Sequence, residues 1–218
     1  MNDPTIDEAA RAAHLEKLVA ERRRRNDQVF DAMAHESDRG LILVAAAYFD
    51  GAMEELLRAT INKAEMKSRG LVDPLFDAFG PLSSYAGKVR IARAFDLLPE
   101  WLYGDLELIR KMRNLLAHTS EALSLGREPM LGLIDQLRSF EFTPSGEKYL
   151  QAREQAIRDT RAERAERAAA EKPRIRLEFC ITHMGAVMDS MIVVQATGAP
   201  TELLVKIGKD LGRKRDWA

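Results

Sequence analysis

One cysteine, Cys180, stands alone in 218 residues, so no disulfide can form within the chain and a reducing compartment is expected. Aromatic residues are scarce, at 6%, and β-branched runs are few, whereas Ala and Leu abound. That composition favours helices, because these two side chains lose little rotamer freedom on entering one. Charge of one sign is lacking too: 33 Lys and Arg against 34 Asp and Glu leave a net −1. No overall field therefore draws the chain to nucleic acid or membrane, and any such contact requires a local patch. No apolar run approaches the roughly 20 residues of a membrane span, and Met1-Asn2-Asp3-Pro4 opens an acidic, polar stretch unlike a signal peptide. A cytoplasmic protein without a membrane partner is expected.

What is present is helical punctuation. Pro74, Pro99, Pro129, Pro144, Pro173 and Pro200 each precede a stretch of helical period, the place where a missing N–H costs least. Thr5-Ile-Asp-Glu8 is a capping-box pattern that starts a helix to about residue 33. Its apolar positions are sparse, so it is expected to project from, or lie across, the main body. Glu36-Ser37-Asp38 starts a second helix, and Leu41 to Phe49 is apolar on every face, the mark of a central buried helix. Asp73 to Phe79 reads as one short helix broken by Gly80-Pro81, and Leu82 to Leu97 as the next, capped by Ser83 or Ser84. Pro99 to about Ala117, Pro129 to Leu137, a long charged stretch from Pro144 to Glu171, Leu177 to Val194 and Thr201 to Leu211 complete the set. The fold class is all-α: a multi-helix bundle, with residues 1–34 as an N-terminal extension and residues 35–218 as the helical domain. The charged stretch at about 144–171 is a solvated helical excursion, with partial disorder as its alternative.

The sharpest local pattern lies in the helix after Pro99. Leu102, Leu106, Ile109, Arg113 and Leu116 share one stripe, so Arg113 interrupts an apolar face, while Arg110, Asn114 and His118 fall at i, i+4 and i+8 on a polar one. A guanidinium on an apolar face needs a carboxylate. The central helix offers Asp38 near its start, then Asp50 and Glu54. A structural pair of Arg113 with Asp38 or Asp50, fixing helix register, is the expected role.

Three blocks then carry a resemblance. Glu36-Ser37-Asp38-Arg39-Gly40 with the apolar run behind it, Phe76-Asp-Ala-Phe79-Gly80-Pro81-Leu-Ser-Ser84, and Leu108-Ile-Arg-Lys-Met-Arg113-Asn114-Leu-Leu-Ala-His118 together resemble the mannitol operon repressor family over roughly residues 35–120. The resemblance implies an all-helical bacterial transcriptional regulator, here a divergent and extended member. The pattern Arg113-(four residues)-His118 is also similar to one in the HEPN superfamily of helical nucleases. That similarity implies metal-independent RNA cleavage, with His118 as acid or base, Arg113 on the phosphate and Asn114 positioning it. Against it, i and i+5 stand about 140° apart on an ideal helix, and a histidine at a helix C-terminus complements the dipole without any catalytic role.

Other signals are poorer. Arg22, Arg23, Arg24 and Arg25, and Arg213, Lys214 and Arg215, are the candidates for phosphate contact, with a solvated basic face as the blander reading. No helix-turn-helix pattern and no zinc-ligand spacing occurs. His14, His35 and His183 have no i, i+4 histidine or cysteine partner, so no metal and no cofactor are expected. Met184, Met188 and Met191 form a stripe that reads as core. The leading expectation is a non-catalytic regulator or adaptor working through a protein partner or a homodimer. Its surface would be Glu36 to Arg39, Phe79 to Ser84 and the Arg113 to His118 helix end. An RNA-cleaving enzyme and a structural interaction module are the alternatives.

Overall fold

The computed structural model describes residues 4–63, 70, 72–118, 124–139 and 162–204. Among them are the helices α1 (Pro4–Ala34), α2 (Asp38–Lys63), α3 (Val72–Phe76), α4 (Tyr85–Ala94), α5 (Glu100–His118), α6 (Met130–Asp135) and α7 (Ala162–Thr197), and residues 201–204 are helical as well. No strand occurs among the described residues. The protein is an all-α bundle.

The all-round apolar segment makes α2 the axis. Leu41, Ile42, Ala45, Phe49, Met53 and Leu56 are buried, and α2 packs against α1, α4, α5 and α7. Leu177, Cys180, Ile181, Met184 and Met188 of α7 complete the same core. The methionine stripe is therefore packing, with Met191 half-buried at its edge. The first helix lies across the body, against α7 and α2, with Met33 at its buried end. Its close approach depends on Gly185: a Cβ there would stand 2.7 Å from the Phe30 ring and 3.1 Å from the Tyr48 hydroxyl. An alanine there would require the Phe30 ring to shift.

Two boundaries differ from expectation. The expected start at Pro173 is overturned, for α7 is continuous from Ala162 and carries Pro173 inside it. A proline there removes one ladder hydrogen bond at a cost of about 3 kcal/mol, which burial of Ile175, Leu177 and the residues behind them offsets. The rest of the charged stretch, residues 144–161, lies outside the described residues, as does 205–211 of the last expected helix. By length and composition alone, Lys172–Thr197 is apolar enough to cross a membrane, unlike the shorter run expected; here its apolar face is the core. Finally, α3 ends at Phe76 and leaves Phe79 outside the helix.

Candidate functional site

The turn between α1 and α2 holds the first sequence block, and nearly every side chain there is engaged. Ser37 caps α2, its hydroxyl accepting from the Gly40 N–H at 3.1 Å. Asp38 accepts from Arg174 at 3.0 Å and from the Leu125 N–H at 3.3 Å. Arg174 also donates to the carbonyls of Met33, Ala34 and Glu36, the last at 2.8 Å. Carbonyls at a helix C-terminus have no intrahelical partner, so a guanidinium both satisfies them and complements the dipole. Arg39 does the same for α5, donating to the Leu116 carbonyl at 3.0 Å. The block is a junction of α1, α2, α5 and α7.

The second block is built the opposite way. Gly80 donates to the Asp77 carbonyl at 2.7 Å, and Leu82 to the Leu75 carbonyl at 2.8 Å. A Cβ on Gly80 would stand 2.3 Å from the carbonyl oxygens of both Pro74 and Leu75, so only glycine lets the chain fold back this tightly. Ser84 then caps α4 by accepting from the Gly87 N–H at 3.1 Å. Pro81 is exposed. At the tip Phe79 is 104% exposed, and Ile91 of α4 and Phe95 just after it are exposed as well.

At the end of α5 the expected pairing is corrected. Arg113 is exposed, and Met112 is buried in its place. From Ile109 the positions i+3 and i+4 flank the buried meridian about equally. The methionine gains from burial, while a guanidinium would need costly compensation. The buried stripe runs Leu102, Asp105, Leu106, Ile109, Met112 and Leu116. The carboxylates offered to Arg113 have other partners. Asp38 has Arg174; Asp50 has Lys88 at 3.0 Å; Glu54 has Arg58 at 2.9 Å and Lys88 at 3.1 Å. Burial opposes the ionisation of Glu54, but the hydrogen bonds from Arg58 and Lys88 outweigh it and hold the carboxyl below its ordinary range. On the polar stripe Arg110 pairs with Glu107 at 2.8 Å. Asn114 lines an open groove of about 530 Å³ between α5 and α6, with Lys111 and Leu115 on one wall and Glu128, Pro129 and Gln136 on the other. His118 closes α5, and its side chain lies outside the described residues.

The basic run of α1 faces inward in part. Arg22 and Arg25 each reach Glu55 at 2.7 Å, and Arg22 reaches Asp189 at 3.2 Å. Of the phosphate-contact candidates, Arg22 and Arg25 are thus engaged within the chain, Arg24 is exposed, and Arg213 to Arg215 lie outside the described residues. Arg23 lines the cleft between α1 and α7. Asn26 donates to Asp189 and accepts from the Tyr48 hydroxyl at 2.6 Å. Among the described residues no group of His, Cys, Asp or Glu is placed to hold a metal ion. His14 and His35 are exposed, while His183 stacks against Trp101 and Phe179. Burial makes His183 harder to protonate, with Asp105 acting in the opposite sense.

Sequence reasoning missed Arg174, Lys88 and Asp189. Lys88 alone left a signal: it falls on the stripe of Tyr85 and Ala92, the buried face of α4.

Comparisons with known proteins come to bear on this geometry. A family model described as MtlR, mannitol repressor, matches residues 25–170. No curated protein matches the chain. Among solved structures, a chain in the X-ray structure of the MtlR–HPr complex from Escherichia coli is similar at a TM-score of 0.52 and 17% identity, over 73% of this chain and 98% of that one. A possible transcriptional regulator, YggD from Shigella flexneri 2a, is similar at a TM-score of 0.54 and 15% identity, over 73% and 96%. At these identities the likeness speaks for the fold.

Proposed function

The chain belongs to the mannitol repressor family, and from that premise we propose that it is a non-catalytic bacterial regulator that acts in the cytoplasm through a protein partner. The observation that carries this reading is Phe79, a phenylalanine fully exposed at the tip of a turn that the lack of a Cβ on Gly80 makes possible. A large aromatic side chain in water forgoes burial worth about 1.5–3 kcal/mol, and aromatic anchors of this kind dominate protein–protein binding. Phe79 with the neighbouring Ser83 and Ser84 is the proposed contact.

HPr is the partner to try first, because the MtlR of Escherichia coli forms a complex with it. Direct capture of DNA has weaker support. The arginines of α1 best placed to form a patch, Arg22 and Arg25, are engaged with Glu55 and Asp189, and the chain carries no net positive charge. Titration calorimetry with purified HPr tests the proposal: saturable binding is expected, and Phe79→Ala should weaken it at least about tenfold. A gel shift on the gene's own upstream DNA tests the competing route, and a shift that resists competitor DNA would favour direct binding. The alternative of an RNA-cleaving enzyme is met by incubation with mixed RNA in EDTA, where no cleavage above that of His118→Ala is expected.

A further inference from the structure

We propose that the cleft between α1 and α7 is a binding site for a small organic cation, an ammonium group carried on an apolar body. The two helices meet through Arg22 and Asn26 on Asp189 and at two apolar contacts on either side. Phe30 closes onto Gly185 at one end, and Leu15 joins Val193 in a small separate cluster at the other. Between these points lies a cavity of about 270 Å³, with Val19, Phe30, Ala186, Val193 and Leu204 as its apolar walls. From Val19 to Phe30 the helix advances about 16 Å, enough for an elongated small molecule.

The polar part of the cleft decides the sign of the ligand. The groups facing Asp189 are Arg22, Arg25 and Asn26 from α1, and Glu55 and Tyr48 from α2. Both arginines sit closer to Glu55, at 2.7 Å, while Asp189 receives only the longer 3.2 Å contact from Arg22 and a neutral amide. Asp189 is therefore the less compensated carboxylate, and burial accordingly holds its carboxyl above the ordinary range. Asn26 cannot swing away, because its oxygen is held by Tyr48. Two hydroxyls on the wall, Thr182 and Ser190, donate to carbonyls of their own helix, which leaves their oxygens as acceptors toward the cleft. Arg23 and Asp27 also line it and offset one another in charge. An ammonium would complete Asp189, and its apolar body would fill the gap, bracing α1 against α7. The site is separate from the proposed partner surface and stands without it.

Calorimetric titration of the full chain with phenethylammonium, and with phenethyl alcohol as the uncharged match, tests this. Saturable binding of the amine is expected, at least about tenfold tighter than the alcohol. Asp189→Asn, which keeps the shape, should weaken the amine at least about tenfold and leave the alcohol unchanged. Ala186→Phe, on an exposed position of the cleft wall, should abolish binding of both, and it decides the matter should Asp189→Asn fail to fold. No saturation by the amine at about 10 mM, equal affinity for amine and alcohol, or unchanged amine binding by folded Asp189→Asn or Ala186→Phe would each overturn the assignment.

Discussion

Two turns separate this molecule into what it is built with and what it presents. Between α1 and α2, Asp38, Arg39 and the carbonyl of Glu36 all bond to other elements. Between α3 and α4, the backbone is held just as firmly, yet Phe79 at its tip stands fully in water. Both turns carry residues of the family resemblance. One pattern thus marks two duties: the first turn is a joint, and the second is a mount for an exposed anchor.

That contrast can be broken most forcefully at Gly80. A Cβ there meets two backbone oxygens, so Gly80→Ala should lower the unfolding free energy by about 2–3 kcal/mol in thermal or urea melts; a neutral result would mean the turn is loose and Phe79 is not held in place. At the joint, Arg174→Ala removes the ion-pair partner of Asp38 and a donor to three carbonyls, and should cost about 2 kcal/mol. Acid melts sharpen the same division. Glu54 and Glu55 are held below the ordinary carboxylate value of 4.5 by hydrogen bonds from arginine and lysine, against the opposing effect of burial. Their stabilisation is complete above that unfolded value and is lost as pH falls below it through the depressed folded values. The wild-type melting temperature should therefore drop more steeply in that acid range than that of Glu55→Gln. Smallest of all, Arg113→Ala should alter stability by less than about 0.5 kcal/mol, because its guanidinium is exposed; a loss above about 2 kcal/mol would restore the expected buried pair.

The helices were largely legible in the sequence because apolar period and caps are local. The all-faced run from Leu41, the cap at Ser84 and the helix after Pro99 all stand where pattern places them. Arg113 was misjudged because i+3 and i+4 are near-equivalent by spacing alone, and only packing chooses Met112. Phe79 was read into a helix because the tight turn depends on carbonyls of Pro74 and Leu75 that no residue name reveals. Arg174 was invisible for a similar reason: it serves backbone atoms and an aspartate 136 positions away. Pro173 looks like a helix start because its local cost is plain, while the burial of Ile175 and Leu177 that offsets it depends on distant elements.

Partner binding depends above all on Phe79 as its anchor. Titration calorimetry of HPr into wild type and Phe79→Ala, alongside melts of both, tests it most directly. Binding by the wild type, at least about tenfold weaker in the variant, with melting temperatures that coincide, is the predicted result. Equal binding by the two folded proteins, or no binding by either, would contradict it.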